Sequence, residues 1–227
     1  FLTDRSETGS RWNGPRPREF EHDVVLDRAM RVFWSRGYEA ASISRLVDRM
    51  GIQRGSLYEA FGDKRSLFLA AIDRYDRVVS AELLTSLDGP ASGLRAIQTF
   101  FRRKIELSLE SGRPRGCLVT NSATELGSRD RGAASRVGAV LAKMEAAFHR
   151  AVVRAQAAGE IDPTRDPRAL ARFLTSSAQG LSVMAKTFPD RAVLDDIVAV
   201  ILKAVSSGNR RHPVRSARRR SWVTSSA

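Results

Sequence analysis

The stretch SISRLVDRMGIQRGSLYEAFGDK, Ser42 to Lys64, decides the fold. Ser42 is a good N-cap, because its hydroxyl can accept a bond from an amide of the first helical turn. Arg45 at the third position means that this cap is not completed into a capping box. The helix so opened runs to about Met50, and Gly51 makes a turn. Gln53 to Phe61 read as a second helix, closed by Gly62. Asp63 offers the cap for a third. Two short helices across a tight turn form a unit that can lay its second helix in the DNA major groove.

Upstream, a helix is expected from about Phe20 to Arg36, where Val25, Ala29, Val32 and Phe33 share one face and Gly37 supplies the stop. Downstream of Asp63, Leu67, Phe68, Ala71, Ile72 and Tyr75 point inward from a long fourth helix. Gly89, Pro90 and Gly93 break the chain, and a helix follows through Ile97, Phe100, Phe101, Ile105 and Leu109 to a stop at Gly112 and Pro114. Gly116 to Leu126 is apolar and helical in pattern. A long helix spans about Ala133 to Ala158, and two more span Pro167–Thr187 and Asp190–Ser206. No strand alternation and no internal repeat is visible. The expectation is an all-α protein of about nine helices, with an N-terminal three-helix head and a C-terminal helical bundle. The divisions are a disordered arm (1–18), a helix-turn-helix head (19–65), a ligand-binding and dimerisation domain (66–206) and a disordered basic tail (207–227).

Bulk composition narrows the class. Of 227 residues, 42% are hydrophobic, enough for a sizeable core. No run approaches the roughly 20 apolar residues of a membrane helix, so no membrane partner is expected and the localisation expected is cytoplasmic. The single cysteine, Cys117, excludes an intrachain disulfide and a cysteine-rich zinc site. His22, His149 and His212 are far apart, and no metal or other cofactor is expected. Net charge is +13, which favours an anionic partner. Residues 1–75 carry 13 basic and 11 acidic groups, whereas 207–227 carry 6 basic and none acidic. Charge alone is therefore a poor argument for sequence-specific binding.

A recognition helix must be exposed on one face and rigidly mounted on the other. Leu46, Met50, Ile52, Leu57 and Phe61 supply the mount. Arg54 is the best base reader, since a guanidinium can bond guanine O6 and N7 together. Gln53 can read an adenine or simply begin the helix. Gly55 lets the backbone approach DNA, and Ser56 and Tyr58 carry hydroxyls suited to phosphate. Lys64 stands at the start of the next helix, where its ammonium and the helix N-terminus both favour phosphate. The word GSLYEAFGDK behind a Met-Gly-Ile turn resembles the DNA-binding end of TetR/AcrR-type transcriptional regulators over about residues 20–75. The resemblance implies DNA contacts at Ser42, Arg54, Tyr58 and Lys64. Glu59 departs from the common non-acidic residue there, which puts the operator sequence in question rather than DNA binding.

A second word, RGCLVTNSATEL from Arg115 to Leu126, is similar to one branch of that family. The resemblance implies a C-terminal bundle that binds a small molecule and dimerises through its last two helices. Phe100, Phe101, Cys117, Met144, Phe148, Phe173 and Met184 are candidate lining, with Asn121, Glu125 and Gln179 as its polar groups. The alternative is plain core for the apolar residues and helix bracing for Asn121 and Glu125. Cys117 reads either as a small buried hydrophobe or as a redox-responsive thiol. The implied function is a homodimeric, ligand-responsive repressor that binds double-stranded DNA at a palindromic operator and is released by a small apolar or amphipathic effector. The alternative is a ligand-independent or non-specific architectural DNA-binding protein. Enzyme chemistry is not expected, because no triad order, phosphate-binding glycine loop or metal spacing is present.

Overall fold

A computed structural model describes residues 19–89, 92–110 and 115–206. The expected arm, the basic tail and the stops at Pro90, Gly112 and Pro114 lie outside the described residues. The head comprises α1 (Glu19–Arg36), α2 (Ile43–Met50) and α3 (Arg54–Phe61). A long rod follows: α4 (Lys64–Tyr75), one π-helical turn (Asp76–Ser80) and α5 (Ala81–Asp88). The remainder is α6 (Gly93–Leu109), α7 (Leu118–Leu126), α8 (Arg131–Ala157), α9 (Pro167–Thr187) and α10 (Arg191–Ser206). With the rod counted once, the described residues form nine helices and no strand, as the sequence pattern leads one to expect.

The helices bury two apolar clusters. One gathers Leu26, Phe33, Leu46, Met50, Leu57, Phe68, Ile72 and Tyr75, together with Leu118, Val119 and Leu126 of α7 and Val137 and Val140 of α8. The other gathers Leu83 and Leu87 of α5 with residues of α6 and α8–α10. Hydrophobic packing therefore runs straight across residue 65, from the head into α4, α7 and the first half of α8. The rod passes from one cluster to the other at the π turn. A π turn inserts an extra residue, so the side chains beyond it are rotated by roughly 100° relative to those before it. This re-phasing lets α4 face the head while α5 faces α6 and α8.

Three cations on α8, spaced seven residues apart, hold the rod. Arg136 Nε lies 2.9 Å from Asp73, Lys143 pairs with Asp76, and Arg150 grips Asp88 through two bonds of 2.9 Å. Solvent screens such pairs, and each contributes roughly 0.2–1 kcal/mol. Their placement at three heights fixes the angle of the rod more than it adds stability. Asp130 caps α8 through the Ala133 amide at 2.9 Å and takes a two-pronged bond from Arg65 at 2.5 and 2.9 Å. The Arg65 guanidinium and that amide hold its carboxyl down to about 2, so the clasp stays charged at any physiological pH. No described helix is long and apolar enough to cross a membrane.

Helices α6 and α8 approach closely at Gly93, where a Cβ would fall 2.0 Å from the Ala151 carbonyl oxygen and 2.5 Å from the Ala155 nitrogen. Backbone cannot yield as a side chain can, so Gly93→Ala must separate the two helices. The expected result is a loss of about 1–3 kcal/mol, read as a lower midpoint in chemical denaturation. An unchanged midpoint would contradict this packing.

Candidate nucleic-acid interface

The helix-turn-helix is built as the sequence implies. Ser42 caps α2, its hydroxyl accepting from the Arg45 amide at 3.3 Å, and its Oγ lies 3.1 Å from Ser44 Oγ. Gly51 closes α2 in the left-handed region at φ 71°. Leu46, Met50 and Leu57 are fully buried, while Ile52 and Phe61 are half-buried. Within α3 only Leu57 is buried, so Arg54, Gly55, Ser56, Tyr58 and Glu59 are all presented outward from one anchored helix. Gln53 stands at the N-cap of α3 and makes no side-chain capping bond. The Arg54 guanidinium carbon stands 5.9 Å from the Tyr58 ring centroid, a contact that orients the guanidinium without using its hydrogen-bond donors. A Cβ at Gly55 would meet nothing within 4 Å, so no part of the described chain fills that space.

Lys64 is more constrained than the sequence suggests. Its Nζ reaches the Glu39 carbonyl at 3.4 Å and sits 4.5 Å from the Tyr38 ring centroid. Asp63 meanwhile caps α4 by accepting from the Ser66 amide at 2.6 Å, and this bond lowers its pKa. A carboxylate therefore already occupies the N-terminus of α4. The helix end is thus already neutralised by the chain's own carboxylate.

Residues 25–71 match the family model for bacterial regulatory proteins of the tetR family, and residues 93–201 match that for a tetracyclin repressor-like C-terminal domain. The HTH-type regulator YezE of Bacillus subtilis is 35% identical over 84% of this chain and 98% of its own length. The chain belongs to the TetR family of transcriptional regulators. The repressor ComR of Escherichia coli is 32% identical over 82% of this chain and 89% of its own. A cysteine-substituted CifR, a TetR-family regulator in complex with 26-base-pair operator DNA, superposes with a TM-score of 0.75. It is 33% identical, and the match covers 84% of this chain and 100% of that one.

Within this TetR architecture, α7 is tied directly to the DNA-binding head. The Glu125 carboxylate accepts from the backbone amides of Tyr38 and Glu39, both at 2.8 Å. These amides belong to the turn between α1 and α2. Gly37 precedes them with φ +82°, and a Cβ there would lie 2.6 Å from Glu125 Oε2. Only glycine suits both the left-handed backbone and the approaching carboxylate. Nearby, Asn121 Nδ2 donates to the Arg115 carbonyl at 3.0 Å and Trp34 Nε1 donates to the Gly116 carbonyl at 3.0 Å.

This changes the expected effector site. Glu125 and Asn121 are spent on the head and on the α7 approach, because their partners lie beside them and not across a bundle cavity. Phe173 is 42% exposed on the outer face of α9. Phe100, Phe101 and Phe148 fill one another's space, with ring centroids 4.7–5.9 Å apart. Gln179 accepts from Thr120 at 2.6 Å and lies 3.4 Å from Met144 Sδ; Met184 packs on the same core. Cys117 is buried in the head cluster, where Tyr75 Oη donates to its sulfur at 3.5 Å. Burial pushes this thiol up, but buried Lys104, Tyr75 and Thr120 outweigh it and the net shift is downward. The ten candidates thus do not line one space. A cavity of about 350 Å³ opens between α1, the π turn and the end of α6, walled by Met30, Trp34, Val78, Val79 and Leu107, with Asp27, Arg31, Glu110 and Arg115 as charged groups of its lining.

A carboxylate bonded to two amides gives a testable latch. Glu125→Ala should loosen the turn that carries Ser42, weakening operator binding by about tenfold while the helices persist; charge-assisted bonds are typically each about 1.5–3 kcal/mol. Glu125→Gln keeps one acceptor and should fall between. Faster amide exchange confined to Tyr38 and Glu39 is the local readout.

Proposed function

We propose that this chain is a homodimeric repressor that reads a palindromic operator with α3 and releases it when a small apolar or amphipathic molecule binds. Residues 19–65 serve as the reading head and residues 66–206 as the dimerising, effector-responsive part. The observation that carries this reading is the single buried residue of α3, Leu57, beneath the outward side chains of Arg54, Ser56, Tyr58 and Glu59. Such a helix is anchored by Leu57 and leaves most of its surface for a partner. Arg54 is the base reader, with Gln53 beside it. Ser42, Ser56, Tyr58 and Lys64 take phosphates, and Gly55 admits the DNA backbone.

A second copy of the chain is supported by the outer faces of α9 and α10. Phe173, Val183, Val193 and Val200 are exposed there, Val200 to 68%, and a Cβ at Gly180 would meet nothing within 4 Å. An apolar surface of this kind on two neighbouring helices suits an isologous interface. The effector is assigned to the junction cavity rather than to the aromatic core, since that core is filled.

Selection from a random duplex pool tests the reading. Enrichment of a two-fold palindrome by the native chain, relaxed at one symmetric base pair in Arg54→Ala, is the expected result; such a contact discriminates by about 1–3 kcal/mol. Binding without enrichment would overturn the proposal. For the effector, Leu107→Trp should fill the cavity and abolish the response to any compound that lowers native operator affinity. A response retained in full would place the effector elsewhere.

A further inference from the structure

A groove between α1 and α2 gathers Arg28, Arg31, Arg36, Arg45, Arg49 and Arg115 around Asp48. Helix α3 presents the opposite sign at the position that stands farthest from its mount. Successive residues of an α-helix are about 100° apart. Counted from Leu57, the one buried residue of α3, Arg54 and Tyr58 lie about 60° and 100° round on one flank, and Ser56 about 100° round on the other. Gly55 and Glu59 lie about 160° round on either side and form the crest of the helix. Phe61, half-buried on the head cluster, stands about 40° from Leu57, so the point opposite the mount falls on Glu59. Gly55 has no side chain, and a Cβ there would meet nothing within 4 Å. The crest therefore carries one side chain, that of Glu59. It is exposed, and its carboxylate has no hydrogen bond or ion pair among the described residues. Arg54, the one cation of α3, stands on the flank 5.9 Å from the Tyr58 ring centroid and does not pair with it.

An unpaired carboxylate that meets DNA is repelled by phosphate and must face a donor. A carboxylate only accepts. In the major groove guanine offers the acceptors O6 and N7, and thymine offers the acceptor O4. Adenine sets its N6 donor beside the acceptor N7, whereas cytosine offers its N4 amine with no acceptor beside it. The missing side chain at Gly55, one turn earlier, lets the crest come close enough for a glutamate to reach a base edge. We infer that Glu59 determines operator specificity: its carboxylate accepts from the N4 amine of one cytosine in each half-site and excludes the other bases there. The inference rests on the DNA-binding reading of α3 and deepens it, because it names a base and the residue that selects it. Much of this selectivity is exclusion, since a wrong base sets acceptor against acceptor.

The test is selection from a random duplex pool with the full native chain, Glu59→Gln and Glu59→Ala. The native palindrome should hold a cytosine at one symmetric position, where any other base costs about tenfold or more in affinity. Glu59→Gln should change that position to adenine, whose N6 and N7 a carboxamide meets together, and leave the others alone. Glu59→Ala should lose the preference, mainly by binding the non-cytosine operators more tightly. A merely structural role would not exchange one base for another at one position, and circular dichroism checks that both variants fold. The same palindrome selected by all three chains would overturn the inference. So would a base other than cytosine at the position that the variants alter. Tighter binding of every sequence by one factor in Glu59→Ala would mean that the carboxylate only repels phosphate, and would overturn it too. A native chain that selects no palindrome would defeat the α3 reading and this inference with it, whereas a palindrome indifferent to Glu59 defeats this inference alone.

Discussion

The recognition helix is held by an apolar core that belongs as much to α4 and α7 as to the head. Phe33 meets Phe68 edge-on with centroids 5.0 Å apart, and Trp34 meets Tyr75 edge-on at 4.9 Å. Leu118, Val119 and Leu126 close the same cluster from α7. Interiors packed at this density move as units, not by continuous deformation. The head is thus not hinged at its boundary with the rod. The packing that mounts α3 is shared among α1, α4 and α7.

That constraint selects where motion can arise. The rod is held by the head cluster through the π turn, where Val78 and Val79 still pack on it, and enters the body cluster beyond it at Leu83 and Leu87. The ion pairs of α8 with Asp73, Asp76 and Asp88 bracket it on both sides. Screened pairs are weak enough to exchange and numerous enough to define one rod angle. A molecule in the cavity beside Val78 and Val79 would press on this turn directly. A molecule between Phe100, Phe101 and Phe148 would first have to open a filled core. An effector shifts an equilibrium only by its differential affinity for two states.

The sequence carries the architecture well, because the devices that set it are local. The Ser42 and Asp63 caps, the Gly51 turn and the inward positions of α4 all depend on residues within a turn or two of each other. The outward face of α3 is legible for the same reason. What eludes a reading of the sequence is long-range polar chemistry. Glu125 and Asn121 stand four residues apart on one face of α7, a pattern that suits a pocket as well as a brace. The amides that Glu125 holds are more than 80 residues away in the chain. Arg28, Arg31, Arg36, Arg45 and Arg49 are visible individually. Their convergence depends on the angle between α1 and α2, which no local pattern encodes.

Charge and rigidity also explain why a modest net charge on the head suffices. Asp23 and Asp27 pair with Arg74 and Asp63 caps α4, whereas Glu39, Asp48 and Glu59 are exposed with no ion pair among the described residues. Arg31, Arg36, Arg45 and Arg49 are likewise without ion pairs among the described residues. Even summation would make the first 75 residues nearly neutral. The arginines nonetheless gather in one groove between α1 and α2, with Asp48 the acid among them, so charge is unevenly spread over the head. Since the α1–α2 turn that borders this groove is held by Glu125, the electrostatic surface and the reading helix are positioned by the same core.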